Sequence, residues 1–144
     1  MVASPTSKKT FTVREANRSL PLIRAIVTDI TELARELRER SERMNRLRPD
    51  DRFTLSEAHE EEFREAQDEF ERGQEKMEDL VRELTQLGVE LKDFYTGLID
   101  FPCILNGRLV YLCWRLGEAE VAHWHELEAG FAGRQKLMPD TSRI

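Results

Sequence analysis

Residues 20–44, LPLIRAIVTDITELARELRERSERM, and residues 63–87, FREAQDEFERGQEKMEDLVRELTQL, share one rhythm of apolar or small side chains at alternating steps of three and four. The first seam runs through Leu20, Ile23, Val27, Ile30, Ala34, Leu37, Ser41 and Met44, the second through Phe63, Ala66, Phe70, Gly73, Met77, Leu80, Leu84 and Leu87. That period lays a single stripe along each of two helices, as in a coiled-coil seam. The stripes are of similar length and only a polar break containing Pro49, Asp50 and Asp51 separates them, so the spacing predicts an antiparallel helical hairpin.

Charge favours the same pairing. From Arg35 to Arg48 six arginines stand against three glutamates, whereas Glu57 to Glu83 holds twelve acids against four bases, so the flanks of the two helices are complementary. Each exposed pair adds only about 0–1 kcal/mol, which selects a partner more than it stabilises one.

The helix ends carry their own signals. Thr12-x-x-Glu15 is a capping-box pattern, with Phe11 and Ala16 placed as a hydrophobic staple. Pro21 lacks an amide donor, so a short helical turn followed by a kink or restart is expected there. Gly88 supplies the stop of the second helix. Off the seam, Leu22, Ile26 and Leu33 widen the apolar stripe of the first helix in its first half only. In an antiparallel hairpin that half lies beside the end of the second helix, where the chain continues, so the C-terminal unit is its natural cover. The far tip should project into water or meet a partner.

After Gly88 the texture changes to short apolar alternations. Ile99 to Leu105 and Arg108 to Leu116 flank Asn106-Gly107, a type I′ hairpin signal in which both residues tolerate positive φ. A third strand is expected at Glu120 to Glu126 and a fourth at Val89 to Phe94, with residues 127–138 as a closing segment. The expected fold is α+β: a long, coiled-coil-like antiparallel α-helical hairpin packed at its base on a small antiparallel β-meander of three to four strands. It forms one domain over residues 11–138, with 11–88 as the hairpin and 89–138 as the β unit. Residues 1–10 read as a disordered leader and 139–144 as a frayed tail.

Composition narrows the function classes. A charged share of 35% fits elongated helices with a large solvated surface. The net charge of -6 opposes attraction to phosphates, which makes nucleic acid an unfavourable partner. Arg24 and Asp29 interrupt the longest apolar run, Leu20 to Ile30, well short of the roughly 20 residues of a membrane span. Lys8 and Lys9 are followed by no signal-peptide stretch. Only two cysteines occur, which suits a reducing compartment, and the cytoplasm is the expected location.

The two-residue loop at Asn106 and Gly107 fixes a register in which Leu105 faces Arg108, Cys103 faces Val110 and Asp100 faces Cys113. Phe101, Cys103, Leu105, Val110, Leu112, Trp114 and Leu116 then line one face. Asp100, Ile104, Leu109, Tyr111, Cys113 and Arg115 line the other, so the two cysteines are kept apart.

His123-x-His125 is the most chemical-looking pair, because the strand period puts both imidazoles on one side, where a divalent metal would want them. An even turn near Gly117 gives them the face of Trp114 and excludes Cys113; an odd turn reverses this. Two ligands fall short of the usual three or four, so packing and hydrogen bonding at a sheet edge is the stronger account of the pair. Lys92, Asp93, Asp100, Arg115, Glu118, Glu126, Arg134 and Gln135 form a candidate ligand or polar pocket in the same unit. Paired carboxylates can do acid–base work, but carboxylates at strand ends are usually solvated. Gly130-Phe131-Ala132-Gly133-Arg134-Gln135 offers backbone amides and a guanidinium to an anion, yet it matches no phosphate-loop fingerprint, and a tight turn packing Phe131 explains it as well.

Phe11-Thr-Val-Arg-Glu-Ala-Asn17 with Leu20-Pro21-Leu22, Leu87-Gly-Val-Glu-Leu-Lys-Asp93, Gly97-Leu-Ile-Asp-Phe-Pro102, Val110-Tyr-Leu-Cys-Trp-Arg115 and His123-Trp-His-Glu126 through Gln135 together resemble an uncharacterised prokaryotic family, catalogued as domain of unknown function 2203. The resemblance covers nearly the whole chain. It implies a small stand-alone bacterial or archaeal protein and lends no activity.

These readings lead to a non-catalytic interaction or regulatory protein that presents hairpin and sheet to a protein partner, or to a second copy through the apolar surface of the helices. The alternative is a small metal- or ligand-binding protein centred on His123 and His125, with Asp100, Glu126 or Arg134 nearby.

Overall fold

A computed structural model describes residues 9–49 and 56–138. Two helices, α1 (Val13–Leu47) and α2 (Glu57–Gln86), precede five short strands: β1 (Glu90–Asp93), β2 (Leu98–Leu105), β3 (Arg108–Arg115), β4 (His123–His125) and β5 (Gln135–Lys136). Residues 1–8 of the expected 1–10 leader, the loop residues 50–55 and the expected tail over 139–144 lie outside the described residues, whereas Lys9 is placed with its Nζ 4.7 Å from the Phe11 ring centroid.

α1 starts where its cap dictates. Thr12 Oγ1 accepts from the Glu15 amide at 3.0 Å, and Glu15 Oε1 accepts from the Thr12 amide at 2.9 Å. Phe11 sits buried beside this cap, edge-on to Phe101 with centroids 5.1 Å apart, and its amide donates to the Pro102 carbonyl at 2.7 Å. The start of α1 is thereby sewn to β2. α2 ends as Gly88 turns to φ +89° and the Val89 amide reaches back to the Leu84 carbonyl at 3.2 Å.

The expected break at Pro21 does not occur, and α1 runs through it as one helix. A proline inside a helix costs about 3 kcal/mol. Burial of Val13, Ala16, Leu20 and Ile23 on both sides of it offsets that cost. So does Asn17, whose amide oxygen accepts from the Val121 amide at 2.7 Å and whose Nδ2 donates to the Val121 carbonyl at 3.3 Å. Proline's ring occupies the exposed side of the helix.

The helices pack antiparallel in the register the seams require. Leu37 lies over Gly73, Arg40 Nη1 donates to the Glu69 carbonyl at 3.1 Å, and Arg43 reaches Glu62 at 3.6 Å and Glu69 at 3.8 Å. Burial is complete at Ile30 and Ala34 and falls to half-buried at Leu37, Met44 and Leu47 toward the tip.

The sheet is an antiparallel meander in chain order, β1 to β5. Its β2–β3 register is the one the Asn106-Gly107 turn sets, from Leu105↔Arg108 to Leu98↔Arg115, with Asn106 at φ 54° and Gly107 at φ 76°. The inner face, with Phe101, Cys103, Val110, Leu112 and Trp114, joins Ile23, Ile26, Val27, Ile30 and Leu33 of α1 and Leu84 of α2 in one core. The C-terminal unit therefore covers the first half of α1, except at Leu22, which is 55% exposed against the expectation because it points off the widened stripe. Gly97 marks a close approach of the two layers: a Cβ there would lie 2.7 Å from Val27 Cγ1.

Two strand readings are corrected. The third strand spans only His123–His125, since residues 120–122 form the loop that Asn17 holds, and a fifth strand, β5, pairs with β4 where a closing segment was expected.

Candidate functional site

The outer face of the sheet is where polar chemistry is buried. Cys113 pairs with His123 and Tyr111 with His125 across β3 and β4, so the connection over residues 114–122 is the odd one and both histidines share the Cys113 face. Asp100, opposite Cys113 on β2, joins them.

Asp100, Cys113 and His125 are 2%, 0% and 2% exposed, and one donor atom from each lies within 4.8 Å of the others. His125 Nε2 stands 3.0 Å from Asp100 Oδ2, while its Nδ1 stands 2.7 Å from the Glu126 backbone carbonyl. A carbonyl only accepts, so Nδ1 carries a hydrogen, and the contact at Nε2 holds one more proton between ring and carboxylate. Burial raises the Asp100 carboxyl above its ordinary range, against the hydrogen bond and charge of His125. Burial, then the Asp100 charge, pushes the Cys113 thiol up to about 11. The Cys113 thiol reaches the Asp100 carboxylate, whose Oδ1 has no nitrogen or oxygen partner.

Beside this cluster a cavity of about 210 Å³ is lined by Asp100, His125, Lys92, Tyr111, Glu128 and Phe131, among others. The Tyr111 ring is 5.5 Å from that of His125. Its hydroxyl is pushed up to about 12 by burial and then by its hydrogen bond to Glu90. Lys92 pairs with Glu90 at 3.1 Å and lies 5.5 Å from the Tyr111 ring centroid.

His123 sits in a second group. Arg134 holds Glu118 through two hydrogen bonds of 2.9 Å and donates to the Cys113 carbonyl at 3.3 Å. Glu118 also accepts from the Arg115 amide at 2.7 Å, and His123 Nδ1 lies 3.9 Å from it. Burial and the Arg134 charge lower the His123 pKa. Arg115 and Arg134 both face the Phe131 ring, at 5.2 and 4.7 Å. The Gly-rich segment thus lays Phe131 over the sheet, and its arginine is engaged by Glu118.

The remaining candidates stand apart. Asp93 caps the β1–β2 turn, accepting from the Tyr95 amide at 3.0 Å and the Thr96 hydroxyl at 2.8 Å, and these bonds lower its pKa. Glu126 pairs with Arg108 at 2.8 Å, and Gln135 is exposed on β5. Tyr111, Glu90 and Cys113 are brought in by the fold. Only Cys113 had a legible signal, through the parity of the Gly117 turn.

A second surface lies along α2, where the helices meet β1 and the β1–β2 turn. Three adjoining depressions meet at Phe94, the middle one joined to the first through Met77 and Glu78 and to the other through Val81 and Thr85, and together run from Phe70 to Gln86 of α2. Phe94 and Tyr95, 44% and 51% exposed, stand in this trough. Sixteen steps of helix, from Phe70 to Gln86, make it about 24 Å long.

Fold and site together define an α+β protein in which a helical hairpin carries a five-stranded meander with a buried Asp–Cys–His cluster on its outer face. The chain belongs to the family described as uncharacterized conserved protein (DUF2203), whose model matches residues 9–137. No curated protein and no solved structure matches it. Among the described residues no helix is long and apolar enough to cross a membrane.

Proposed function

We propose that this is a cytoplasmic interaction protein whose α2 trough receives a helical surface of another protein, in the first instance a second copy of its own hairpin. The trough carries the reading: it is apolar, continuous and about 24 Å long, the form in which an amphipathic helix is held. Its walls include Leu37, Phe70, Met77, Val81 and Phe94, while Arg38, Glu78, Arg82 and Glu90 bring both charge signs to it. A lining with both signs is self-complementary under two-fold rotation, which favours a second copy over a partner of one charge.

Sedimentation equilibrium tests this. The wild-type chain of 16.9 kDa should sediment at twice its mass, and Phe94→Asp, which puts a charge into the trough without touching the core, should return it to one chain. A wild-type protein that stays monomeric at every accessible concentration contradicts the second-copy reading.

A further inference from the structure

Asp100, Cys113 and His125 come from three adjacent strands, so their positions are set by ladder hydrogen bonds and not by a loop. They bring a carboxylate oxygen, a sulfur and an imidazole nitrogen to within 4.8 Å of one another, on three buried residues. Three features argue for more than packing. The ring of His125 is fixed from behind by the Glu126 carbonyl at 2.7 Å, the outer hydrogen bond that orients metal-ligating histidines and leaves the other nitrogen for the ion. Asp100 Oδ1 is buried with no nitrogen or oxygen partner, so the Cys113 thiol, a weak donor, is all the fold sets against the cost of burying it. A small cavity opens onto Asp100 and His125, giving a way in and room for one exchangeable ligand.

A catalytic Asp–His dyad does not fit these contacts. Both nitrogens of His125 are engaged, Nδ1 by Glu126 and Nε2 by Asp100, so none is presented to a substrate. An ion taking the place of the shared proton does fit, since it would collect Nε2, the carboxylate and the sulfur at once.

We infer that Asp100, Cys113 and His125 form a zinc site with three protein ligands and a fourth position open to the cavity. The donor set selects the metal. Calcium and magnesium take oxygen shells, whereas one thiolate, one imidazole and one carboxylate suit zinc, which binds each at about 2.0–2.3 Å. Tetrahedral zinc spaces its ligands about 3.5 Å apart, so the three side chains close by on the order of an ångström as it binds. Coordination sends to solvent the Cys113 thiol proton and the proton held between Nε2 and Oδ2. His123 lies outside the group of mutually close donors, with its Nδ1 3.9 Å from Glu118. This site lies on the sheet's outer face and does not depend on the trough being occupied.

The test uses the full chain stripped of metal and titrated with zinc or cobalt. One equivalent of zinc should remain after dialysis, and cobalt should give a thiolate charge-transfer band with visible bands of tetrahedral intensity. Cys113→Ser should abolish the charge-transfer band and weaken zinc more than tenfold, because even losing an outer-shell partner costs 10–100-fold. Asp100→Asn should also weaken zinc. His123→Ala and Cys103→Ser, which change the other histidine and the other thiol, should leave stoichiometry and spectrum intact. Circular dichroism separates ligand loss from unfolding, and zinc should raise the melting temperature of the wild type but not of Cys113→Ser. Absence of stoichiometric zinc and of the cobalt band in folded wild-type protein overturns the proposal, as does a band that survives Cys113→Ser or disappears in His123→Ala.

Discussion

Asp100 of β2 and His125 of β4 meet at 3.0 Å although β3 lies between their strands, and both side chains are 3% exposed. The contact is diagonal across the sheet, and it gives Nε2 of His125 its polar partner in a buried place. In metal-free buffer Asp100→Ala should leave Nε2 of His125 unsatisfied and lower the unfolding free energy by about 1–3 kcal/mol. Asp100→Asn, whose amide can still donate to Nε2, should cost less. Urea melts of the two variants check this, and equal losses would contradict it.

Glu118 and Arg134 tie the segment after β4 back to the end of β3. Burial raises the Glu118 carboxyl, but the Arg134 hydrogen bonds and the Arg115 amide outweigh it and hold the pKa below 4.5. The folded state therefore binds this proton less readily than the unfolded chain. The stabilisation is complete above 4.5 and is lost as the pH falls through the lower, folded value. Glu118→Gln should be less stable than the wild type at neutral pH, with a gap that closes in acid. A gap independent of pH would show that the charge is not what matters.

Leu37 fills the space that Gly73 leaves on α2: a Cβ there would come within 2.4 Å of Leu37 Cδ2 and 2.8 Å of Arg40 Nη1. Gly73→Leu should overpack the seam and cost about 1–3 kcal/mol. Gly73→Ala should fall between it and the wild type, since better helix propensity, worth about 1 kcal/mol, offsets part of the crowding. A Gly73→Leu protein as stable as the wild type would mean that the helices do not touch here.

Asn17 joins α1 to the loop before β4 across 104 positions of sequence. Asn17→Ala should leave the Val121 amide and carbonyl without their side-chain partners and reduce stability by about 1–3 kcal/mol. Hydrogen exchange should be faster at the Val121 amide specifically; unchanged exchange there would show that the clamp is not formed.

Much of this architecture is legible in local sequence rules. The seams of α1 and α2, the Thr12–Glu15 box, the Gly88 stop and the Asn106-Gly107 register all rest on contacts between near neighbours or on one repeated period, and each is present. Pro21 misleads because its cost is local while the groups that offset it, Asn17 with Val121, are distant. β5 is two residues long, too short to carry a periodic signal. The face shared by Cys113 and His123 depends on the parity of an irregular loop, which no propensity fixes. Asp100 and His125 were both visible as polar residues in apolar strands, but their meeting required the register of three strands at once.

The trough along α2 is the feature on which the interaction reading rests, and Gln74 lines it while remaining exposed. The most direct measurement places a photo-activated crosslinking residue at position 74 and, as a comparison, at the exposed position 109 of β3, near the β2–β3 turn. Position 74 should give a crosslinked species of two chains, with the second attachment mapping to α2, and position 109 should give none. Single chains only at position 74, or attachment sites away from α2, would contradict the account.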